Sequence, residues 1–427
     1  MKQKFVVMLV ALLSASVVFA MGSKEDSNEL LIWSFTVTPD ALAVVQEEII
    51  EAYEAANPGV TVTWQNIPYD GYREKLLTAA AGGALPDIFV DGFNMVGKYK
   101  EAGVIADLTD DVLAWDGWNK ISSSVRDLAE YDGSYWGFPF RTKIFPLIIN
   151  TALFEQAGLD PNNPPETWSE LLDAAEKLLI VENGVVVQQG IYSFYDAGTV
   201  TRTFELLIQQ DGGEFIDSRG YPAFNNEHGM NALEMLVKLY VTEKPVGGVA
   251  PLDETVTRSY PAGKAGMSLG LSYNSVEWAL QLNNTEVIEN TKVVIPTKSD
   301  NATGKPVAGV DGDMAYISAK STKKDLAIDF LKYFYEPDNF LIYLEANKCL
   351  PLYEEHMDSD YMKSVPLFQG LFEMQKYGGA MPKTPAYLTA RAYLHEEIEK
   401  AVFNGQDLQV TLDNAERRWL QEIEDMQ

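Results

Sequence analysis

The sequence of 427 residues contains very little cysteine or histidine. Its one cysteine, Cys349, cannot form a disulfide within the chain, and a chain of this length has enough core to fold without one. The three histidines, His228, His356 and His395, lie far apart and lack the spacing of a transition-metal site. The sequence therefore predicts neither a metal nor a cofactor.

Sequence signatures of common catalytic sites are also missing. There is no Gly-x-Ser-x-Gly elbow, and Gly263-Lys264 lacks the other residues of a phosphate-binding loop. Carboxylates are plentiful, but nothing in the sequence distinguishes one pair of them as an acid and a base. No catalytic residue is therefore predicted.

Positive charge is scarce. The chain has 33 Lys and Arg residues against 62 Asp and Glu residues, which gives a formal net charge of −29 at pH 7. Such a field repels nucleic acids and anionic membranes, and it disfavours strongly anionic ligands. We therefore expect a neutral or cationic small molecule as the partner, and no nucleic acid.

The first twenty residues have the layout of a secretory signal peptide. A basic start is followed by the apolar run Phe5–Leu13 and by a small-residue exit at Val18–Ala20. Cleavage after Ala20 would leave Met21 at the position where a bacterial lipoprotein carries its cysteine. We expect export to the periplasm or the cell surface, with residues 1–20 removed.

The remaining sequence predicts an α/β fold with more than one lobe. About 400 residues follow the signal peptide, which is more than one hydrophobic core usually organises. Short apolar strands alternate with amphipathic helices, a pattern that indicates βαβ units and a largely parallel sheet. In the first part of the chain, strands are expected at residues 30–33, 60–64 and 88–90, and helices at residues 41–56 and 72–81.

The second half is predicted to continue this pattern. Phe145–Asn150 is apolar enough to be a strand that crosses into a second lobe, and Thr167–Glu170 is a capping box that opens a helix. Residues 183–225 predict short strands and loops, Met267–Tyr273 a strand, and Asp311–Asp313 a turn. Further helices are expected at residues 226–241, 322–335, 387–403 and 407–425.

Several short motifs occur in order along almost the whole mature chain. They are Leu31–Phe35, Asn57–Val62, Pro86–Gly92, Glu101–Leu108, Gly133–Pro139, Asn150–Leu159, Tyr260–Met267 and Asp311–Ser318. In this order they resemble the family 1 extracellular solute-binding proteins. That family includes the maltose- and trehalose-type binding proteins of bacterial ABC importers.

The resemblance implies two α/β lobes in a periplasmic-binding-protein-like fold, with the ligand in a cleft that closes about a hinge. It puts residues 29–142 and 311–352 in the N-terminal lobe, and residues 143–310 and 353–427 in the C-terminal lobe. It also implies a monomer that captures a small solute, and the family's usual solute is a mono- or oligosaccharide. The solute would be delivered to the permease subunits of an ABC transporter.

Candidate ligand-binding residues follow from the chemistry of a sugar. Hydroxyls need hydrogen-bonding partners, and a ring face needs a flat side chain. We therefore choose polar, charged and aromatic residues at predicted strand ends and at the family's motif positions. The candidates are Phe35, Asp91, Phe93, Trp136, Arg141, Tyr195, Asp196, Tyr273, Asn274, Asp311, Asp313 and Arg391.

The late motif departs from the family pattern. Sugar-binding members often have Gly-Gly-Trp before the strand, whereas this chain has Asp311-Gly312-Asp313. A carboxylate thus stands where a stacking aromatic is usual. A neutral saccharide is the favoured ligand class, and a polyol or a cationic solute remains an alternative.

A second interpretation also stays open, namely a secreted carbohydrate-active enzyme that uses two cleft carboxylates as acid and base. Such an enzyme needs a carboxylate pair at one of two fixed separations around the bond it cleaves. The ordered family motifs and the lack of any catalytic pattern favour a binding protein that is not an enzyme.

Overall fold

The computed structural model describes residues 28–192, 197–240, 259–270, 272–379 and 382–426. The strands are β1 (Glu29–Ser34), β2 (Thr61–Asn66), β3 (Ile88–Gly92), β4 (Glu130–Tyr131), β5 (Ser134–Tyr135), β6 (Phe138–Phe145), β7 (Leu147–Asn150), β8 (Ile180–Glu182), β9 (Val185–Tyr192), β10 (Ala265–Ser268), β11 (Thr291–Val294) and β12 (Gly309–Ile317). The helices are α1 (Pro39–Val44), α2 (Glu51–Ala56), α3 (Tyr72–Gly82), α4 (Val96–Glu101), α5 (Thr109–Leu113), α6 (Ser123–Ala129), α7 (Thr151–Gln156), α8 (Trp168–Leu178), α9 (Ala197–Gln210), α10 (Glu227–Tyr240), α11 (Ser272–Gln281), α12 (Thr285–Asn290), α13 (Lys324–Phe334), α14 (Pro337–Asn347), α15 (Asp360–Ser364), α16 (Pro366–Glu373), α17 (Tyr387–Asn404) and α18 (Leu408–Met426).

The first sheet has the strand order β2-β1-β3-β12-β6. β1 is parallel to both of its neighbours, with Ile32 opposite Trp64 on β2 and Ile88 on β3. β12 is antiparallel to β3 and to β6. The carboxyl ends of β1, β2, β3 and β6 therefore lie at one edge of the sheet, together with the start of β12.

The second sheet has the order β11-β7-β10-β9-β8. β9 and β10 are parallel, with Met267 opposite Ile191, and β7 is antiparallel to β10 and β11. The carboxyl ends of β9 and β10 thus share an edge with the start of β7. The mixed α/β architecture that the sequence predicted is confirmed.

One extended segment belongs to both sheets. β6 ends at Phe145 in the first sheet, and β7 begins at Leu147 in the second, with only Pro146 between them. The predicted crossing strand is therefore confirmed. The chain returns to the first sheet between β11 and β12, and it re-enters the second lobe before α17.

The buried apolar residues form two clusters, of which the first lies mainly on the first sheet and extends to Ile148 and Ala265 of the second. The first includes Phe89 and Phe334, and the second includes Phe204 and Trp419. Phe368 on α16 belongs to the first core, and α16 packs against both β6 and β11. Helices near the junction thus share contacts with both lobes, and the boundary proposed at residues 352/353 stays a prediction.

The predicted capping box opens α8. The Thr167 hydroxyl accepts a hydrogen bond from the Glu170 backbone N–H at 3.3 Å, and Glu170 Oε2 accepts one from the Thr167 N–H at 3.2 Å. The buried face of the helix carries Trp168, Leu171 and Leu178. The box satisfies two backbone donors that a helix start otherwise leaves without partners.

Several helices were not predicted from the sequence, and the one that matters for the site is α9. Residues 197–210, predicted as short strands and loops, form α9, whose Val200, Phe204 and Leu207 are buried in the second core. Thr199, Thr201 and Thr203 lower the helix propensity of this stretch because their branched side chains restrict χ1. Tertiary burial of the apolar face outweighs that local preference.

Two shorter predictions were also wrong. The strand expected at Met267–Tyr273 ends at Ser268, and α11 begins at Ser272, because Gly270 turns the backbone with φ of +73°. The turn expected at Asp311–Asp313 is the interior of β12. The ion pairs of these carboxylates, described below, explain how they are tolerated inside a sheet.

The predicted signal peptide lies outside the described residues. Among the helices that the structure describes, none combines the length and the apolar character needed to cross a membrane.

Candidate functional site

The carboxyl-end edges of the two sheets meet beside the β6–β7 junction. Arg202 on α9 of the second lobe donates to Asp311 on β12 of the first, with Nη2 2.7 Å from Oδ2. Glu277 on α11 lies 3.8 Å from the guanidinium of Arg141 on β6. We call the region between these edges the interlobe cleft. Open α/β sheets bind their ligands at such edges.

Two cross-strand pairs of charged residues form the floor of the interlobe cleft. Asp313 lies opposite Arg141 and Asp311 lies opposite Lys143, and alternate residues of a strand face the same side. Arg141 Nη2 is 2.9 Å from Asp313 Oδ2, and both residues are buried. Burial opposes the charge on Arg141, but Asp313, together with Cys349, Glu277 and Tyr273, more than offsets burial and raises the pKa of the guanidinium well above its usual value.

Lys143 differs from Arg141, because no side chain among the described residues makes a direct hydrogen bond or ion pair with its ammonium group. Burial lowers the pKa of Lys143, and the nearby Arg141 lowers it further, against the opposing effect of Asp313 and Asp311. Lys143 is half-buried and alternates with Arg141 along β6, so both side chains lie on the same face of the strand.

Asp311 is held by the second lobe. Burial alone would raise its pKa, but Arg202 and Lys143 outweigh burial and hold the pKa of the Asp311 carboxyl below its usual value. Its Oδ1 also accepts the backbone N–H of Gly312 at 2.8 Å. Asp311 is therefore an ionised group that joins the two lobes.

A small chamber of about 30 Å³ opens beside this ion pair. Both lobes contribute to its walls, which are mainly polar. The chamber is lined by Asn94, Arg202, Glu205, Leu206, Gln209, Gly309, Val310, Asp311, Pro382, Tyr387 and Arg391.

Glu205 is the most perturbed carboxyl group of the chamber. It is buried, and its Oε1 accepts the Tyr387 hydroxyl at 2.6 Å. Burial raises the pKa of Glu205 to about 7, although Tyr387, Arg391 and Arg202 all act to lower it. Glu205 can therefore present either a donor or an acceptor to a ligand near neutral pH.

Aromatic rings line the same sheet edge next to the end of β1. The Phe35 ring centroid lies 5.3 Å from that of Tyr69 and 4.8 Å from that of Tyr72. The Tyr72 hydroxyl is fixed by the Val90 carbonyl at 2.7 Å, whereas Tyr69 is 62% exposed. The three rings are tilted to one another by about 50°, and the exposed ring of the group is that of Tyr69.

The sequence profile of the bacterial extracellular solute-binding proteins matches residues 37–339. The chain belongs to this family. The match spans both sheets and includes Arg141, Arg202 and Asp311. The family resemblance drawn from the sequence motifs is therefore confirmed.

Several known proteins are similar to this solute-binding protein in sequence or in structure. A maltotriose-binding protein of Pyrococcus abyssi is 22% identical over 374 residues, which cover 84% of this chain and 74% of the relative. An ABC transporter solute-binding protein of Thermotoga lettingae, solved with α-D-tagatose, has 21% identity and a TM-score of 0.76, covering 92% of this chain and 99% of that one. The cyclic α-maltosyl-1,6-maltose binding protein of Arthrobacter globiformis has 23% identity and a TM-score of 0.76, covering 93% and 99%.

Five of the predicted ligand contacts lie at the cleft of this solute-binding protein. Arg141 and Asp313 form its floor, Asp311 and Arg391 reach the chamber, and Phe35 belongs to the aromatic group. Their roles as ligand contacts stay predictions. Tyr195 and Asp196 lie outside the described residues.

Asp91 and Phe93 require a correction, because neither has an exposed surface. Asp91 Oδ1 lies 2.9 Å from Arg73 Nη2, and its Oδ2 accepts the Tyr99 hydroxyl at 2.6 Å. Phe93 packs beneath Gly312, where an added Cβ would lie 2.5 Å from its ring. In this conformation both residues support the cleft edge from inside the core instead of facing a ligand.

The remaining candidates are Trp136, Tyr273 and Asn274. Trp136 follows the β4–β5 hairpin, and its indole N–H donates to the Tyr131 carbonyl at 2.9 Å. Tyr273 is buried on α11 and stacks on Phe368, and Asn274 beside it is half-buried. None of these three lines the chamber.

Sequence reasoning missed Lys143, Arg202, Glu205 and Tyr69. Arg202 and Glu205 are three residues apart, a spacing that puts both on one face of a helix, but α9 itself was not predicted. Lys143 could have been found from its strand, because it alternates with Arg141 along β6.

Proposed function

We propose that this protein captures a small uncharged saccharide outside the cytoplasm and delivers it to an ABC transporter. The observation that carries the proposal is the polar chamber between the lobes, with the Arg202–Asp311 ion pair at its edge. A cleft walled by two lobes can enclose a ligand by hinge closure.

The charge balance of the interlobe cleft favours an uncharged ligand. Four cationic side chains, Arg141, Lys143, Arg202 and Arg391, lie near the carboxylates of Glu277, Asp311 and Asp313. Glu205, with a pKa of about 7, adds a partial negative charge at neutral pH, so the two signs nearly balance. A ligand with net charge would leave one sign in excess in a poorly solvated site. Saccharide hydroxyls both donate and accept, so they fit arginine and carboxylate partners at once.

The relatives support the same ligand class and the same transport system. Tagatose, maltotriose and a cyclic maltosyl-maltose appear in the descriptions of the three similar proteins, and one of them is described as an ABC transporter component. The aromatic group at Phe35 supplies a surface on which an apolar sugar face can stack.

Export and oligomeric state complete the proposal. The family is extracellular, and the layout of residues 1–20 supports a signal peptide that takes the chain to the periplasm or the cell surface. We propose a monomer, because both lobes must be free to contact the permease subunits.

A thermal-shift screen tests the ligand class. The panel comprises D-tagatose, D-glucose, maltose, maltotriose, mannitol, L-amino acids and spermidine, because a ligand that binds only the folded protein raises its melting temperature. We expect a saccharide to give the largest shift, and Arg391→Ala to weaken its binding about tenfold through the loss of a charged hydrogen bond. Arg417→Ala, an exposed arginine on α18, is the matched control. A rise in melting temperature with spermidine or amino acids alone would contradict the proposal of a saccharide ligand.

The enzymatic alternative rests on one pair of carboxylates. The pKa of Glu205 is raised and the pKa of Asp311 is lowered, a split that acid–base pairs of glycosidases also use. However, Asp311 is held in an ion pair with Arg202, and the family consists of binding proteins. We therefore propose that no catalysis occurs. Hydrolysis of p-nitrophenyl glycosides that is lost in Glu205→Gln would contradict this.

A further inference from the structure

Lys383 lies just before α17, where the chain enters the second lobe, and its side chain reaches across to the first. Ala386 and Tyr387, which follow it closely, are buried in the second hydrophobic cluster. The Lys383 ammonium nevertheless donates to the backbone carbonyls of Asp127 and Glu130 at the end of α6, each at 2.7 Å. These two hydrogen bonds join the start of a second-lobe helix to the first lobe.

The residues after Lys383 are fixed to the second lobe. The Thr384 carbonyl accepts the Tyr387 N–H at 3.0 Å, and the Tyr387 hydroxyl donates to Glu205 on α9 at 2.6 Å. Gly220 packs against Thr384, where an added Cβ would lie 2.8 Å from the threonine Oγ1. Separation of the lobes would therefore withdraw the Lys383 ammonium from the carbonyls of α6.

The site that receives the ammonium is poorly solvated. Gly97 on α4 approaches the backbone of Lys383 so closely that an added Cβ would lie 2.3 Å from the Lys383 carbonyl oxygen. Burial lowers the pKa of Lys383 to about 8, although Glu130 and Asp127 act to raise it. A charged ammonium is thus less stable in this site than in water.

Other charged groups share an opening of about 730 Å³ that lies beside Lys383 between the lobes. They are Lys100, Glu101, Glu130, Tyr131, Asp132, Asp217 and Arg219. Four of these groups form two ion pairs, Lys100 with Asp132 and Arg219 with Asp217. Burial raises the pKa of Tyr131 above its ordinary value of 10, so this residue stays neutral below that pH.

We propose that Lys383 makes the closure of the two lobes depend on pH. In the open form its ammonium group lies in water. On closure the side chain enters the site at the end of α6 and releases one proton to the solvent, which leaves a neutral amine with two N–H donors. The inference concerns closure itself and does not depend on which solute the protein binds.

The sign of the effect follows from the two pKa values of Lys383. Below about pH 8 both forms hold the proton, and the closed form must keep a charged group buried. Between about pH 8 and the ordinary pKa of 10.5 only the open form holds it, so closure becomes more favourable as the pH rises. These values correspond to a rise of about tenfold in the closed-to-open ratio between pH 7 and pH 9.

Single-molecule energy transfer between dyes on the two lobes tests the proposal with the mature protein and no added solute. The dyes are attached at Glu51→Cys on α2 and Glu234→Cys on α10, which are exposed, whereas Cys349 is buried. We expect the closed-to-open ratio to rise about tenfold from pH 7 to pH 9. A ratio that falls over this range overturns the proposal.

Variants assign the pH dependence to Lys383. Lys383→Met cannot carry a charge, and we expect its closed-to-open ratio to change less than twofold between pH 7 and pH 9. Lys238→Met, which replaces an exposed lysine on α10, is the matched control and should keep the tenfold rise. A tenfold rise that persists in Lys383→Met overturns the proposal, because another group would then release the proton.

A carbon-13 NMR titration of the lysine side chains decides the case in which one form predominates at both pH values. The Lys383 signal is identified by its absence from the spectrum of Lys383→Met. In a protein that energy transfer shows to be closed, we expect this signal to titrate near pH 8. Titration at the ordinary pKa of 10.5 in the closed protein, or near pH 8 in a protein that is open, overturns the proposal.

Discussion

The protonation of Glu205, a buried residue of the chamber, makes the stability of the protein depend on pH. Its pKa in the folded protein, about 7, lies above the ordinary value of 4.5, so the native state takes up a proton that the unfolded state has already lost. The stabilising contribution is therefore fully present below about pH 4.5 and is lost as the pH rises to 7. Above pH 7 the carboxyl group of Glu205 is ionised in both the folded and the unfolded state.

We therefore predict that Glu205→Gln stabilises the protein at pH 8 by about 3 kcal/mol, because the pKa rises from 4.5 to about 7 and one pKa unit corresponds to about 1.4 kcal/mol. At pH 4 the variant and the original chain should have nearly equal free energies of unfolding. Urea denaturation at both pH values measures this. Glu234→Gln, an exposed glutamate on α10, is the control, and an equal effect of both variants at pH 8 would contradict the prediction.

A second prediction at the scale of the residue concerns the Arg141–Asp313 ion pair. Asp313→Ala leaves Arg141 buried without its main partner, and we expect a loss of about 3–5 kcal/mol in the free energy of unfolding. The double variant Arg141→Met with Asp313→Leu should recover most of that loss, since it removes both charges. Chemical denaturation of the three proteins forms the test. A double variant as unstable as Asp313→Ala would show that packing, not charge, dominates at this site.

A prediction at the scale of the element concerns the capping box of α8. Thr167→Ala removes the acceptor for the Glu170 N–H, and we expect a cost of about 1 kcal/mol in stability. Glu170→Gln keeps both hydrogen bonds of the box possible and should cost much less. Thermal denaturation of the two variants compares them directly. Equal losses would mean that the charge of Glu170, and not the box, stabilises the helix.

The helices and strands differ in how well the sequence predicts them. The helix at Thr167 and the strand across Pro146 were predictable, because capping residues and a run of apolar residues act locally. α9 was not, because its threonines disfavour a helix and only the second core compensates. Because α9 was not predicted, Arg202 and Glu205 were not chosen as candidate ligand contacts.

The whole molecule is expected to respond to the ion pair between its lobes. Arg202 and Asp311 are each about one-quarter exposed, so we expect their pair to contribute about 0.5–1 kcal/mol to the closed arrangement. Arg202→Gln should therefore shift the balance between closed and open forms two- to fivefold toward the open form. Small-angle scattering without ligand would detect this as a larger radius of gyration. Arg417→Gln is the control, and equal radii for all three proteins would contradict the prediction.

The sequence by itself determined the α/β class, the two-lobed plan, the family and several charged candidates at the cleft. These features depend on periodicity, on local capping and on ordered motifs, all of which act over short stretches of chain. Only the tertiary structure decided that Asp91 faces inward to Arg73, and that Arg202 and Glu205 meet Asp311 and Tyr387. Burial and long-range ion pairs join residues separated by a hundred positions or more, and no local pattern encodes them.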